Sequence, residues 1–240
     1  MITDRIKLGS TDFCFRSLSK EVSVSKSGHG VVAYRISAVR TSPGARYIIH
    51  KYGPEEGVPR KVYIPDIKTM NQNFHTKGFM GVIEGDSFYI KGMVIPVIKA
   101  HWKLPELDNS FRGFLIDTVK TFGNADEFSY SWGWSFKHMF DRNTPKGLAT
   151  SYRSYYPMEE FVMQLGFGME YKFKKTPQSV VLNPDGKREG AKKMQVMYEP
   201  SQFCSSGCVQ EDVICKYYIA DILSPQVGYT YRIEWSGNNR

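Results

Sequence analysis

Every second residue from Val227 to Trp235 is apolar. Val227, Tyr229, Tyr231, Ile233 and Trp235 alternate with Gly228, Thr230, Arg232 and Glu234. A period of two puts the two sets on opposite faces of a strand, one toward a core and one toward water. The stretch Val213 to Ile222 (VICKYYIADI) precedes it, and LSPQ joins the two, so a pair of strands closes the chain. Similar signals recur upstream. Gly30 to Arg40 (GVVAYRISAVR) is rich in β-branched residues. Arg46 to Tyr52 follows the turn SPGA, so these two segments predict a hairpin or a close connection. Arg60 to Ile64 and Phe111 to Val119 are further candidate strands.

Phe88 to Leu104 (FYIKGMVIPVIKAHWKL) has an uncharged residue at every even position, while its odd positions finish in Lys99, His101 and Lys103. As one strand it would span about 56 Å at ~3.3 Å per residue, too long for one straight element. Pro96 cannot donate to a ladder, which predicts a bend, a bulge or an edge there.

Elsewhere the pattern is less regular. Phe128, Trp132, Phe136, Met139 and Phe140 fall at helical spacing, with Asn124 as a cap and Asp126 and Glu127 in the first turn, which predicts a helix set into a loop. The segment SYYPMEEFVMQLGF fits a helix from Pro157 or a strand over Phe161 to Phe167, and periodicity does not decide between them. Leu182 to Lys193 is a loop with turn chemistry at Pro184-Asp185-Gly186 and a basic tip. No Ser-, Gly- or Pro-rich linker divides the 240 residues, and 41% of them are hydrophobic, enough for a sizeable core. The expectation is one all-β domain over 1–240: an antiparallel sandwich of the jelly-roll kind, with short helical insertions in its loops.

Charge is uneven. Residues 1–51 hold nine Lys/Arg against Asp4, Asp12 and Glu21, which is +6 of the chain's +8. A basic segment on a near-neutral body suggests a polyanion partner, nucleic acid first and an anionic membrane surface second. The candidate phosphate contacts are Arg5, Lys7, Arg16, Lys20, Lys26, Arg35 and Arg40, joined by Lys99 and Lys103 from the basic strand face. The N-terminus MITDRIKL has no apolar signal core, and no run of 18 apolar residues exists, so neither secretion nor membrane insertion is expected. Thiols are then expected to be reduced. Cys204, Cys208 and Cys215 lack a nearby histidine to complete a zinc set, and ordinary structural cysteines are the expectation.

Motifs for catalysis or cofactors are missing: there is no G-x-S-x-G, H-E-x-x-H, Walker loop or G-x-G-x-x-G, so no cofactor is expected. Gly166-Phe-Gly168 is only a fragment of a glycine loop. Asp66 after Pro65, with Glu170 and Lys172, matches the bare P-D…E-x-K form of a magnesium-dependent nuclease. The four residue types are common and their spacing is free, so a loop aspartate and an amphipathic strand explain them equally. MEYKFKK, Met169 to Lys175, interleaves aromatics with lysines and could stack on bases, or could simply have one wet face.

Three segments carry a likeness: FYIKGMVIPVIKAHW; FKHMFDRNTP with the following YRSYYPMEEFVMQ; and the closing pair CKYYIADI and YTYRIEW. Together, over about Phe88 to Trp235, they resemble the coat proteins of small circular single-stranded DNA viruses, geminivirus-like in particular. The resemblance implies an eight-stranded jelly roll that assembles with copies of itself into an icosahedral shell around single-stranded DNA. It implies no enzymatic activity, and residence in the virion and, during assembly, the host nucleus. It would place residues 1–51 inside the particle. Tyr152, Tyr155 and Tyr156 would then be exposed aromatics of subunit interfaces. That family usually begins with a long Arg/Lys-rich arm that also directs nuclear import, and MITDRIKLGS is not such an arm. Two other functions fit the residues: a β-fold nucleic-acid-binding accessory protein with a basic groove, and the nuclease.

Overall fold

The computed structural model describes residues 6–7, 9, 11–24, 30–51, 79–84, 87–90, 93–98, 112–136, 148–168, 171–200 and 214–237. The elements in chain order are β1 (Ile6–Lys7), β2 (Phe13–Val24), β3 (Gly30–Arg40), β4 (Tyr47–Lys51), β5 (Phe79–Glu84), β6 (Ser87–Ile90), β7 (Met93–Ile98), β8 (Arg112–Asp117), the short helix α1 (Thr118–Phe122), β9 (Glu127–Phe136), β10 (Leu148–Arg153), β11 (Met158–Gly168), β12 (Phe173–Leu182), β13 (Arg188–Gly190), β14 (Met194–Pro200), β15 (Ile214–Leu223) and β16 (Thr230–Gly237).

The strands form an all-β sandwich. One layer is a six-stranded sheet in the order β14-β15-β11-β2-β3-β9. The sheet β10-β16-β12-β13 faces it, and a third sheet, β1-β7-β6-β5-β8-β4, brings Ile48, Ile49 and His50 of β4 and Ile116 of β8 into the core. Alternation builds the core. In β11, Phe161, Met163, Leu165 and Phe167 are buried while Val162 and Gln164 are half-buried. Against this face β10 and β16 set Tyr152, 4.9 Å from Phe161, Tyr231, 5.8 Å from Phe161, and Trp235, 5.6 Å from Phe167, all ring to ring. Beyond them, β4 brings His50 to within 6.2 Å of the Phe15 ring.

Strand β2 holds these contacts together through one irregularity. Its register against β3 shifts between Phe15 and Ser17. Phe13 and Phe15 point inward before the shift, and Leu18, Lys20, Val22 and Val24 point inward after it. The extra residue, Arg16, is exposed. Such a bulge lets one strand keep the same face buried although the parity of its sequence changes.

Several expectations are corrected. The six-stranded sheet is mixed rather than wholly antiparallel, because β2 and β11 pair in parallel from Phe15↔Met158 to Val24↔Phe167. Strands β3 and β4 do not form a hairpin: β3 pairs with β2 and β9, and β4 pairs with β8 in a different sheet. The turn at Pro43-Gly44 therefore carries the chain from one sheet to another. The closing pair behaves likewise, with β15 and β16 in opposite layers.

The predicted helix over 124–140 is instead strand β9 as far as Phe136, with the remaining residues outside those described. Phe128, Trp132 and Phe136 are spaced by four, and four is also an even number. Tyr130 and Trp134 complete a period of two, with Ser129, Ser131, Gly133 and Ser135 between them. The exposed edge of β3 supplies the partner, in register from Gly30↔Phe136 to Val39↔Glu127. The undecided segment after Pro157 is the strand β11.

The long Phe88 to Leu104 stretch is divided before Pro96: β6 and β7 run antiparallel, Ile90 opposite Met93, and Pro96 lies opposite Ser87. The turn at Pro184-Asp185-Gly186 forms as expected. Asn183 Oδ1 accepts from the Asp185 and Lys187 N–H groups at 3.1 and 2.9 Å, and Gly186 takes a φ of 79° that favours glycine. The candidate strand Arg60 to Ile64 lies outside the described residues.

Candidate assembly and nucleic-acid surfaces

Most of the described N-terminal cations are already engaged. Lys20 lies on the inner face of β2 and is fully buried. Its Nζ donates to the Ser151 carbonyl at 2.7 Å and sits 5.6 Å from the Tyr34 ring centre. It is therefore a core residue, not a phosphate contact, because the Arg16 bulge has reversed the parity of β2. Arg40 donates to the carbonyls of Ala125 and Gly123 and to Thr118 Oγ1, and lies 5.2 Å from the Phe128 ring centre. It ties the end of β3 to the α1–β9 connection. Arg16 donates to Glu159 at 2.5 Å and lies 3.8 Å from Glu127, on the outer face. Arg35 lies 3.7 Å from Glu21. Glu21 is buried, whereas the Arg16 pairs are exposed and contribute little stability, about 0–1 kcal/mol; all of them offset the positive field that a polyanion would meet. Lys7 occupies β1, in register with Ile98. Arg5, Lys26, Lys99 and Lys103 lie outside the described residues, as do Asp66 and Glu170 of the nuclease pattern and Cys204 and Cys208. Lys172 is described and exposed.

The three tyrosines are not surface anchors. Tyr155 and Tyr156 are buried, and Tyr152 packs between Tyr34 and Phe161. Tyr156 has a specific task. Its phenol accepts from the Ile49 N–H at 2.9 Å and donates to the Ile49 carbonyl at 3.3 Å. Ile49 lies on β4, an edge strand, so one side chain occupies both main-chain groups that an intruding strand would need. Burial raises its phenol pKa above the ordinary value. Beside it, His50 Nε2 meets the Tyr130 hydroxyl at 2.6 Å, and burial pushes the imidazole pKa down to about 3.

Exposed positive charge instead gathers further along the chain. Lys172, Lys174, Lys175, Lys187, Arg188, Lys192 and Lys193 are all exposed, and none joins a described ion pair. They flank Phe173 at the start of β12, line the β12–β13 turn and lead into β14. Asp185 and Glu189 are the acidic residues over 172–193.

Strand β14 is the feature that patterning alone missed. It forms one edge of the six-stranded sheet and among the described residues pairs only with β15. Val196, Met197 and Tyr198 are 47%, 39% and 57% exposed. Lys216 Nζ lies 5.5 Å from the Tyr198 ring centre and 5.3 Å from that of Tyr218, bracing Tyr198 on the sheet. Two lysines precede β14 and a proline ends it, in KKMQVMYEP. Among the described residues no cluster of His, Cys, Asp and Glu could hold a metal ion, and no helix is long and apolar enough to cross a membrane.

The fold and these surfaces define an all-β sandwich whose six-stranded sheet ends, among the described residues, in the edge strands β14 and β9, with exposed apolar side chains shown on β14. No family model matches the chain, and no curated protein matches it. Among solved structures, the crystal structure of a "putative protease" from Parabacteroides distasonis ATCC 8503 is similar over 95% of this chain and 41% of its own, with a TM-score of 0.41 and 7% identity. The chain thus covers about two-fifths of that protein's length. A likeness so distant carries no functional argument.

Proposed function

We propose that this chain is a self-assembling coat subunit that encloses single-stranded DNA. One observation carries the proposal: a long sheet ends in β14, whose main-chain edge meets no other described strand and whose Val196, Met197 and Tyr198 side chains are exposed. Open edges of this kind drive association between chains. The resemblance supplies the remainder: an icosahedral shell, a single-stranded DNA genome, the virion and the host nucleus. The exposed cations of 172–193 take the phosphate-binding role in place of Lys20 and Arg40.

Negative-stain electron microscopy of the purified protein, with its 260/280 nm absorbance ratio, tests this. Uniform shells with a high ratio are expected. A monodisperse monomer of 27.5 kDa across a range of salt and pH would overturn it.

A further inference from the structure

The sandwich treats its edges unequally. The edge of β4 is occupied at Ile49 by the Tyr156 phenol, and that of β10 at Ser151 by Lys20 Nζ. Strand β13 is only three residues long, and β9, ten residues long and paired only with β3 among the described residues, shows no exposed large apolar side chain there, whereas β14 shows three. Strand β14 offers seven residues, Met194 to Pro200, with none of its edge groups bonded to another described element. We infer that β14 pairs antiparallel with β14 of a second copy about a two-fold axis through Val196, joining two six-stranded sheets into one. This rests on the self-assembly proposed above and names the contact that makes its two-fold.

Charge and parity select the register. In an antiparallel pair about Val196, Met194 lies opposite Tyr198 of the second copy and Gln195 opposite its Met197. Lys193 lies opposite its Glu199. Met194, Val196 and Tyr198 alternate onto the face that in β15 carries Tyr218 and Ala220, since they pair with Ala220, Tyr218 and Lys216. Pairing about Val196 keeps these three on the same face in both copies, so an apolar stripe of six side chains crosses the junction. A shift by one residue would put each set opposite the wrong face. A shift of the axis to Gln195 sets Lys193 against Met197, and a shift to Met197 sets Glu199 against Gln195. Neither pairs opposite charges. The axis at Val196 does so twice, once at each end, and cross-strand charge pairs favour a register by this means. Tyr198, braced by Lys216, is already positioned to receive Met194.

The test is a charge swap on the full chain, read as mass by sedimentation velocity across concentration. Wild type is expected to show a species at twice 27.5 kDa, alone or as the building unit of larger particles. Val196→Lys sets two ammonium groups together on the axis and is expected to abolish that species. Lys193→Glu and Glu199→Lys are each expected to weaken it about tenfold, and the double variant to restore it. Circular dichroism checks that each variant stays folded. If both single variants weaken association and the double variant does not recover it, this register is wrong. If Val196→Lys still assembles like wild type, β14 is not the contact, although the coat proposal stands. An open-ended series of masses would overturn the two-fold in favour of β14 on β9 of the next copy, the other end of the same sheet. A wild type that never leaves 27.5 kDa overturns both proposals.

Discussion

Lys20 and Ser151 meet across the interior of the sandwich, the ammonium donating to the main-chain carbonyl at 2.7 Å. Lys20 is thus a cross-layer tie and contributes nothing to a polyanion surface.

For that reason Lys20→Met should leave the binding of single-stranded DNA, and its salt dependence, unchanged. Lys174→Gln with Lys175→Gln should flatten the slope of log affinity against log salt by about 0.7 for each phosphate no longer neutralised. Fluorescence anisotropy of a labelled oligonucleotide at several salt concentrations separates the two. A flatter slope for Lys20→Met would return that residue to the surface.

Tyr156→Phe should destabilise the fold by about 1–3 kcal/mol, since it leaves the Ile49 N–H and carbonyl buried without the phenol. Urea unfolding gives the cost. Hydrogen exchange at the Ile49 amide should rise with it, whereas a loss of packing alone would leave that amide protected.

His50 sets a pH limit. Its folded pKa lies near 3 and its unfolded value near 6.5, so the unfolded chain binds the proton first. The stability it contributes is complete above about pH 6.5 and is lost as pH falls toward 3. Between pH 7 and pH 5 the loss should be about 2 kcal/mol. Paired urea titrations at those two pH values should show it in wild type and not in His50→Gln. Equal losses in both would assign the acid sensitivity to other groups.

Gly166 sits opposite Tyr217, and a Cβ there would come within 2.6 Å of the tyrosine ring. Gly166→Ala should therefore cost about 1–3 kcal/mol. Most of that loss should vanish when Tyr217 is truncated to leucine. A neutral Gly166→Ala would mean that the ring moves aside freely.

Much of the fold was legible because strands announce themselves locally. The closing strand and β3 each announce themselves in their own residues, whereas periodicity left the β11 segment open between a helix and a strand. Partner choice is not local, so nothing in Arg46 to Tyr52 says that β4 leaves β3 for another sheet. Strand β9 misled because a spacing of four satisfies a helix and a strand alike. Lys20 misled for a more instructive reason. Counting by twos from Phe13 and Phe15 places it outside, and only the bulge at Arg16 turns it inward. Tyr155 and Tyr156 fall between strands, where no period applies, and the Ile49 groups that Tyr156 meets lie 107 positions away. The open edge of β14 depends on what does not pair with it, which patterning cannot express.

The parallel pairing of β2 with β11 sets a timetable for synthesis. Arg16 and Glu159, side by side on these strands, are 143 residues apart in sequence. A ribosome adding about 5–20 residues per second takes roughly seven to thirty seconds to cover that gap. Through that interval β2 has β3 as a neighbour but lacks β11, its other one. Nascent chains on one messenger would meet in this half-made state, so crowding on the polysome is where this protein is most exposed to wrong pairing.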